Sequence, residues 1–244
     1  MNCANGINPT FRFKRFALSD RRCGMKIGTD GVLLGSWAEL SQPTGLVADV
    51  GAGCGLISLM IAQRYALSER IYALEIEDGA FEDLQANVAA SPWNERITAI
   101  KGDFRNFESV ADLIVSNPPF FVTGHHSPLQ SRAMARHGTN CGLSPISLIA
   151  FAATRLKPKG RLAMIFPPEL LHDVEMEAAL QRLEFSRLCE VITCHGKAPS
   201  RIMAELSPTA SKIERSRLVI RNADNRFSPE YIALSDQFYI DIKQ

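Results

Sequence analysis

With 244 residues, 46% of them apolar and 22% charged, the chain has the composition of an ordinary globular protein and the length for one α/β domain with a large core. A formal net charge of +1 excludes a global field that would announce a nucleic-acid partner, so any such field has to be local. No basic start leads into an apolar h-region and no apolar run is long enough to span a bilayer, which predicts a cytoplasmic protein without membrane contact.

Phe11 to Phe16 alternates aromatic with basic residues, and Phe11–Lys26 holds six basic residues against one acid, Asp20. The alternation predicts a strand with one aromatic and one cationic face, on which bases could stack while Arg12, Lys14, Arg15 and Lys26 meet phosphates. An edge strand guarded by charge has the same pattern. Next, Gly28-Thr29-Asp30-Gly31 opens an apolar run ending at Leu40. Thr29 or Asp30 is expected to cap a helix whose amides could face an anionic group.

Gly45–Val50 reads as a strand, Gly51-Ala52-Gly53-Cys54-Gly55 as a glycine-rich turn and Leu56–Tyr65 as an apolar helix. The pattern D-x-G-x-G-x-G departs from a dinucleotide fingerprint. Asp49 would repel a pyrophosphate but accept from an ammonium group, which favours a zwitterionic amino-acid ligand. A second strand, Arg70–Glu77, ends in carboxylates where a ribose diol is commonly held; Glu75 is the candidate, with Glu77 capping the helix Asp78–Ala90. After the strand Arg96–Ile100, Asp103 could accept from an adenine amino group while Phe104 packs on its ring, although an ordinary turn would also place Asp there.

The apolar strand Ala111–Val115 runs into Ser116-Asn117-Pro118-Pro119-Phe120-Phe121. Two prolines fix φ twice and remove two donors, so the segment leaves the sheet as a stiff turn. Asn117 adds an acceptor oxygen and Phe120 an apolar face, a set suited to a planar group bearing NH2. Such an amine is a poor nucleophile because its lone pair is delocalised into the ring. Two acceptors on its hydrogens favour the nucleophilic geometry and the charge that grows during attack. Four loops thus fall at the carboxyl ends of parallel strands, where open α/β sheets bind ligands. Three suit a nucleoside bearing an amino acid, S-adenosylmethionine, and the fourth a methyl acceptor.

Thr123–Gly142 is polar and locally basic (His125, His126, Arg132, Arg136, His137) and reads as a lid over an RNA arm or as a surface loop. Leu143–Leu156 is an apolar helix stopped by Lys157-Pro158-Lys159-Gly160, followed by the strand Arg161–Phe166 and the helix Glu169–Leu183. Arg187–Thr193 and Ser216–Ile220 can pair as the last two strands, with Lys197, Arg201, Lys212 and Arg215 between them as a second cationic stretch near the active edge. The six cysteines form no C-x-x-C pair and no His stands at ligand spacing, so reduced thiols and no metal site are expected; His125-His126 reads as loop surface.

The order DVGAGCG (Asp49–Gly55), ALEIE (Ala73–Glu77), GDF (Gly102–Phe104) and SNPPFF (Ser116–Phe121) resembles the class I S-adenosylmethionine-dependent methyltransferases that modify the N6 amine of adenine. RRCGMKIGTDGVLLGSW (Arg21–Trp37), SPWNERI (Ser91–Ile97) and LVIRNADNRFSPEYIALSDQFYI (Leu218–Ile240) are similar to the bacterial tRNA1(Val) adenine-N6-methyltransferases. The resemblance implies a Rossmann-like α/β fold, with a mostly parallel seven-stranded sheet, an antiparallel last strand and a small N-terminal extension (1–44) before the catalytic core (45–244). It also implies methylation of the adenosine 3′ of the anticodon in a valine tRNA. Asp49, Gly51, Gly53, Glu75 and Asp103 would then bind S-adenosylmethionine, and Asn117, Pro118 and Phe120 would hold the adenine; Thr29, Ala52, Phe104 and Asn117 are further candidates for the cofactor and Pro119 for the catalytic turn. Arg12, Lys14, Arg15, Lys26, Arg132 and Arg136 would meet the tRNA. Relatives often carry Tyr where this chain has Phe120, which removes a hydroxyl contact and keeps the stacking. Protein-glutamine methylation, DNA-adenine methylation and non-catalytic RNA binding are the alternatives. The residues do not fix the oligomeric state; a monomer is the default.

Overall fold

The computed structural model describes residues 10–40, 45–66, 70–120, 142–210 and 212–242. A short antiparallel hairpin, β1 (Phe11–Arg12) and β2 (Ala17–Leu18), leads to α1 (Thr29–Trp37). Then follow β3 (Leu46–Val50), α2 (Leu56–Arg64), β4 (Arg70–Glu75), α3 (Asp78–Ala89), β5 (Ile97–Lys101) and β6 (Ala111–Ser116). The second half holds α4 (Pro145–Arg155), β7 (Leu156–Phe166), α5 (Leu171–Leu180), β8 (Glu184–Cys194), β9 (Arg201–Ser207), β10 (Glu214–Arg221) and α6 (Pro229–Ser235).

The main sheet is mixed and mostly parallel, in the order β10-β8-β9-β7-β6-β3-β4-β5, with β9 antiparallel to both its neighbours. The α/β class is as expected, but among the described residues the strands of this sheet number eight rather than seven. The antiparallel strand is β9, whereas the last strand, β10, runs parallel to β8. From β3 the chain steps outward to β4 and β5, then crosses back to place β6 on the other side of β3. That reversal opens a crevice beyond the carboxyl ends of β3 and β6.

Alternation along the central strands feeds two cores. Val47, Leu113, Val115, Ala163 and Ile165 pack on one face against α1, α2 and α3. Ala48, Val50, Ile114, Leu162 and Met164 pack on the other against α4 and α5. Both faces are covered, which is why β3 and β6 read as near-continuous apolar runs. A Ser144–Ser147 capping box with Pro145 in the first turn starts α4 sharply.

Several boundaries differ from expectation. The helix before Lys157–Gly160 ends at Arg155, as expected, but β7 begins already at Leu156 rather than at Arg161: Leu156 pairs with Ala111 across a bulge, and Gly160 lies so near the Ala111 carbonyl that a Cβ would sit 2.8 Å from it. A 3-10 turn, Pro168–Leu170, precedes α5, which ends at Leu180. Gly28, not Thr29 or Asp30, is the N-cap of α1, without a side-chain capping bond. Glu77 takes the N-cap position of α3 but caps with its backbone alone.

The expected aromatic–cationic strand folds instead as the β1–β2 hairpin, because its rings have partners at the far end of the chain. Phe13 stacks on Phe16 with centroids 4.7 Å apart and lies 5.8 Å from Tyr239, and Phe16 meets Trp93 edge-on. Phe13 and Phe16 are core residues, so they offer no platform to a base. Among the described residues no helix is long and apolar enough to cross a membrane.

Candidate active site

The crevice is built from four loops at one edge of the sheet. Gly51 and Ala52 donate their N–H groups to the Leu74 carbonyl, Gly102 N–H to Glu75 O, and Ser116 Oγ to Val50 O, tying the ends of β3, β4 and β6 and the loop after β5 together. Gly51, Gly53 and Gly55 all adopt positive φ, the left-handed region that a side chain would strain. A Cβ on Gly55 would lie 2.7 Å from Leu84, while one on Gly53 or Gly102 would meet nothing within 4 Å. The turn is therefore packed from behind and open in front.

Asp49, at the end of β3, is fully buried. Its Oδ2 accepts from Ser58 N–H and Oγ in the first turn of α2, at 3.0 and 2.7 Å. Oδ1 finds no hydrogen-bond partner among the described residues. Burial pushes the carboxyl up to about 7, opposed by the two Ser58 bonds and assisted by the nearby Glu75 charge. Glu75, also buried, accepts from Gly53 N–H through Oε2 and from Ile76 and Glu77 N–H through Oε1, each at 2.8 Å. It thus fastens the glycine turn to the tip of β4. Asp49 and the Glu75-held turn fit the amino-acid and ribose ends of S-adenosylmethionine: a buried acceptor without a partner faces the demand of an ammonium group, beside a glycine backbone with open space before it.

Other expected contacts are engaged internally. Both oxygens of Asp103 are taken by the Arg105 side chain, a pairing that outweighs burial and holds the carboxyl below its usual range. Phe104 is buried in a core cluster, where it packs edge-on with Phe151, centroids 5.1 Å apart. Thr29 is the first residue of α1, and its neighbour Asp30 bonds Arg201 Nε at 2.7 Å.

On the acceptor side, Val115 of β6 pairs in register with Asp49, two residues before Asn117. Asn117 Oδ1 is buried and has no partner among the described residues, while Nδ2 donates to Met25 Sδ at 3.8 Å. Pro118 is buried, Pro119 and Phe120 are half-buried, and Phe120 touches both cores. The amide is thereby oriented with its oxygen, not its nitrogen, held back for a donor. Met25 is a contact that its residue type does not advertise, a single exposed methionine with no polar chemistry of its own.

The cationic candidates separate. Lys14 pairs with Asp236, Lys26 donates to the Asp20 and Arg21 carbonyls, and Arg15 stacks over Trp93. Arg12 makes a contact of its own. Arg132 and Arg136, with the rest of the expected lid up to Cys141, lie outside the described residues. Arg201 opens β9 at the active edge, but Lys212 and Arg215 lie at the opposite edge, in a cleft of about 820 Å³ shared with Lys159, Arg161 and Arg187. The cationic stretch near the active edge is therefore only partly there. Among the described residues no group of three or more His, Cys, Asp or Glu side chains could hold a metal ion.

Residues 31–188 match the family described as "Methyltransferase small domain". Among curated proteins, a tRNA1(Val) (adenine(37)-N6)-methyltransferase of Tolumonas auensis is 40% identical, covering 95% of this chain and 97% of the relative. One of the same name from Porphyromonas gingivalis is 44% identical over 94% of each. The chain belongs to the tRNA1(Val) (adenine(37)-N6)-methyltransferase family. Solved structures agree on the fold of this methyltransferase: a predicted O-methyltransferase from Agrobacterium tumefaciens superposes with a TM-score of 0.67 at 14% identity, covering 86% of this chain and 96% of that one. A ribosomal protein L11 methylase from Lactobacillus delbrueckii gives 0.51 at 19%, covering 72% and 76%.

Proposed function

We propose that this methyltransferase uses S-adenosylmethionine to methylate the N6 amine of an adenosine in tRNA, the adenosine 3′ of the anticodon in a valine tRNA. The observation that carries the reading is Asn117 Oδ1, a buried acceptor without a partner, held in a proline-stiffened turn beside the Asp49 crevice. The relatives' names support the substrate.

Bound S-adenosylmethionine supplies a methyl group on a sulfonium, which departs as a neutral thioether. Asp49 and the turn held by Glu75 would receive its amino-acid and ribose parts. Asn117 Oδ1 and the Pro118 carbonyl accept the two hydrogens of the adenine amine, drawing its lone pair out of conjugation. Phe120 stacks on the flipped-out base and fixes its plane. As the N–C bond forms, positive charge grows on N6 and the two acceptors stabilise it. The proton is shed to water afterwards, so no strong base is needed. A cytoplasmic location follows from that substrate.

Isotopically labelled S-adenosylmethionine incubated with total tRNA, followed by nucleoside digestion and mapping, tests the reading. Label in N6-methyladenosine at that position of valine tRNA supports it. Label only in a protein glutamine or in DNA would replace it with the corresponding alternative.

A further inference from the structure

Phe120 carries the stacking face of the proposed site, yet a phenylalanine ring has no hydroxyl through which a hydrogen bond could fix it. Only contacts to its face and edge can orient it. One face is covered by the guanidinium of Arg201, whose central carbon lies 5.5 Å from the ring centroid. Arg201 is the first residue of the antiparallel strand β9, and the next residue, Ile202, pairs with Phe166 at the end of β7. The guanidinium is itself held: Nε donates to Asp30 Oδ2 at 2.7 Å and Nη1 to the Ser200 carbonyl at 2.7 Å. The ion pair is partly buried, with about a third of the Arg201 side chain and a quarter of that of Asp30 exposed.

The arrangement joins three segments remote in sequence: the first turn of α1, the start of β9 and the turn after β6. A planar guanidinium tied at two of its edges cannot rotate, so it lies against the ring as a fixed plate. Asp30 also neutralises the cation, which keeps a bare positive charge from facing the charge that develops on the adenine amine.

We propose that Arg201 is a positioning residue for methyl transfer, bracing one face of Phe120 so that the other is presented to the target base, with Asp30 holding the brace in place. This rests on the function proposed above. It predicts that the Arg201 cation acts through the Phe120 ring, not through the cofactor or through general RNA affinity.

The test compares wild type with Arg201→Met, Arg201→Lys, Asp30→Asn and Phe120→Ala, and with the double variant carrying Arg201→Met and Phe120→Ala. Arg201→Met should lower kcat about tenfold while tRNA KM and S-adenosylmethionine affinity stay within about threefold. Arg201→Lys should recover only part of the loss, and Asp30→Asn should shift kcat in the same direction by less. In the Phe120→Ala background Arg201→Met should cost nothing further, because its effect has no ring to act through. A second readout avoids turnover: 2-aminopurine at the target position should be quenched by stacking in wild type and brighter in Arg201→Met at saturating protein. The inference falls if Arg201→Met keeps kcat within twofold, if its loss multiplies with that of Phe120→Ala, or if the fluorescence is unchanged. An active wild type with any of those results removes this inference alone. A wild type that leaves the RNA unmethylated removes the functional reading as well.

Discussion

Asp49→Asn should make the ligand-free protein relatively more stable as pH rises, while weakening cofactor binding. In the folded chain the Asp49 carboxyl is raised from its ordinary 3.8 to about 7 because burial disfavours the anion. Between those two values the folded state holds more protons than the unfolded state, so this group lowers stability as pH rises through that window and levels off above it. At about 1.36 kcal/mol per unit, the cost is roughly 2 kcal/mol at pH 5 and about 4 kcal/mol at pH 8. Asparagine does not titrate. It keeps an oxygen for Ser58 but buries an amide nitrogen in place of Oδ1, a fixed penalty of about 1–3 kcal/mol that does not vary with pH. The stability difference, variant minus wild type, should therefore grow by about 2–3 kcal/mol from pH 5 to pH 8, whatever its absolute value. Titrating groups that do not interact with Asp49 cancel in that difference. At about 2–4 °C per kcal/mol for a domain of this size, thermal melts should resolve it as a relative gain of about 5–10 °C. Urea titrations give the same quantity directly. Calorimetry should find S-adenosylmethionine bound at least about tenfold more weakly by the variant, since a charge-assisted bond is lost. A difference flat with pH, or unchanged cofactor affinity, would refute the reasoning.

Asn117→Ala should lower kcat by about 10²–10³ while cofactor affinity, read by calorimetry, stays near wild type. Glu205 lies fully buried in β9, where it accepts from Glu39 N–H at 2.8 Å and pairs with Arg161 and Arg187 at 3.0 and 3.2 Å. Removing it as Glu205→Ala leaves Arg161 and Arg187 with only the half-exposed Glu39 carboxylate as counter-charge and should cost about 3 kcal/mol in urea unfolding, with little change in kcat at a temperature where the variant is folded. Gly55→Ala forces a side chain into φ +87° with its Cβ 2.7 Å from Leu84, and should reduce both thermal stability and cofactor affinity.

The parallel half of the sheet was legible because β3, β4 and β6 are buried runs that end in glycine, acid or proline signals, which are local. The strand β9 was not. Read in isolation, Arg201–Ser207 is a short segment interrupted by a charge, and the partners that permit Glu205 inside the sheet come from β7 and β8. Phe104 illustrates the opposite case, since an aromatic after a strand looks exposed until Phe151, far along the chain, joins it in one core cluster. The N-terminal rings are settled in the same way by Tyr239 and Trp93. Asp49, Glu75 and Asn117 could be placed at strand ends from the sequence. Their hydrogen-bond states could not be read there: Oδ1 of Asp49 and of Asn117 find no partner among the described residues, because that depends on donors brought in by segments remote in sequence.

A crystal structure of the protein with S-adenosylhomocysteine and an anticodon stem-loop of valine tRNA puts the central claim to direct measurement. The adenine N6 should lie within hydrogen-bonding distance of both Asn117 Oδ1 and the Pro118 carbonyl, with the ring on Phe120. An N6 facing elsewhere, or Asn117 Oδ1 bonded to another part of the protein in that complex, would contradict it.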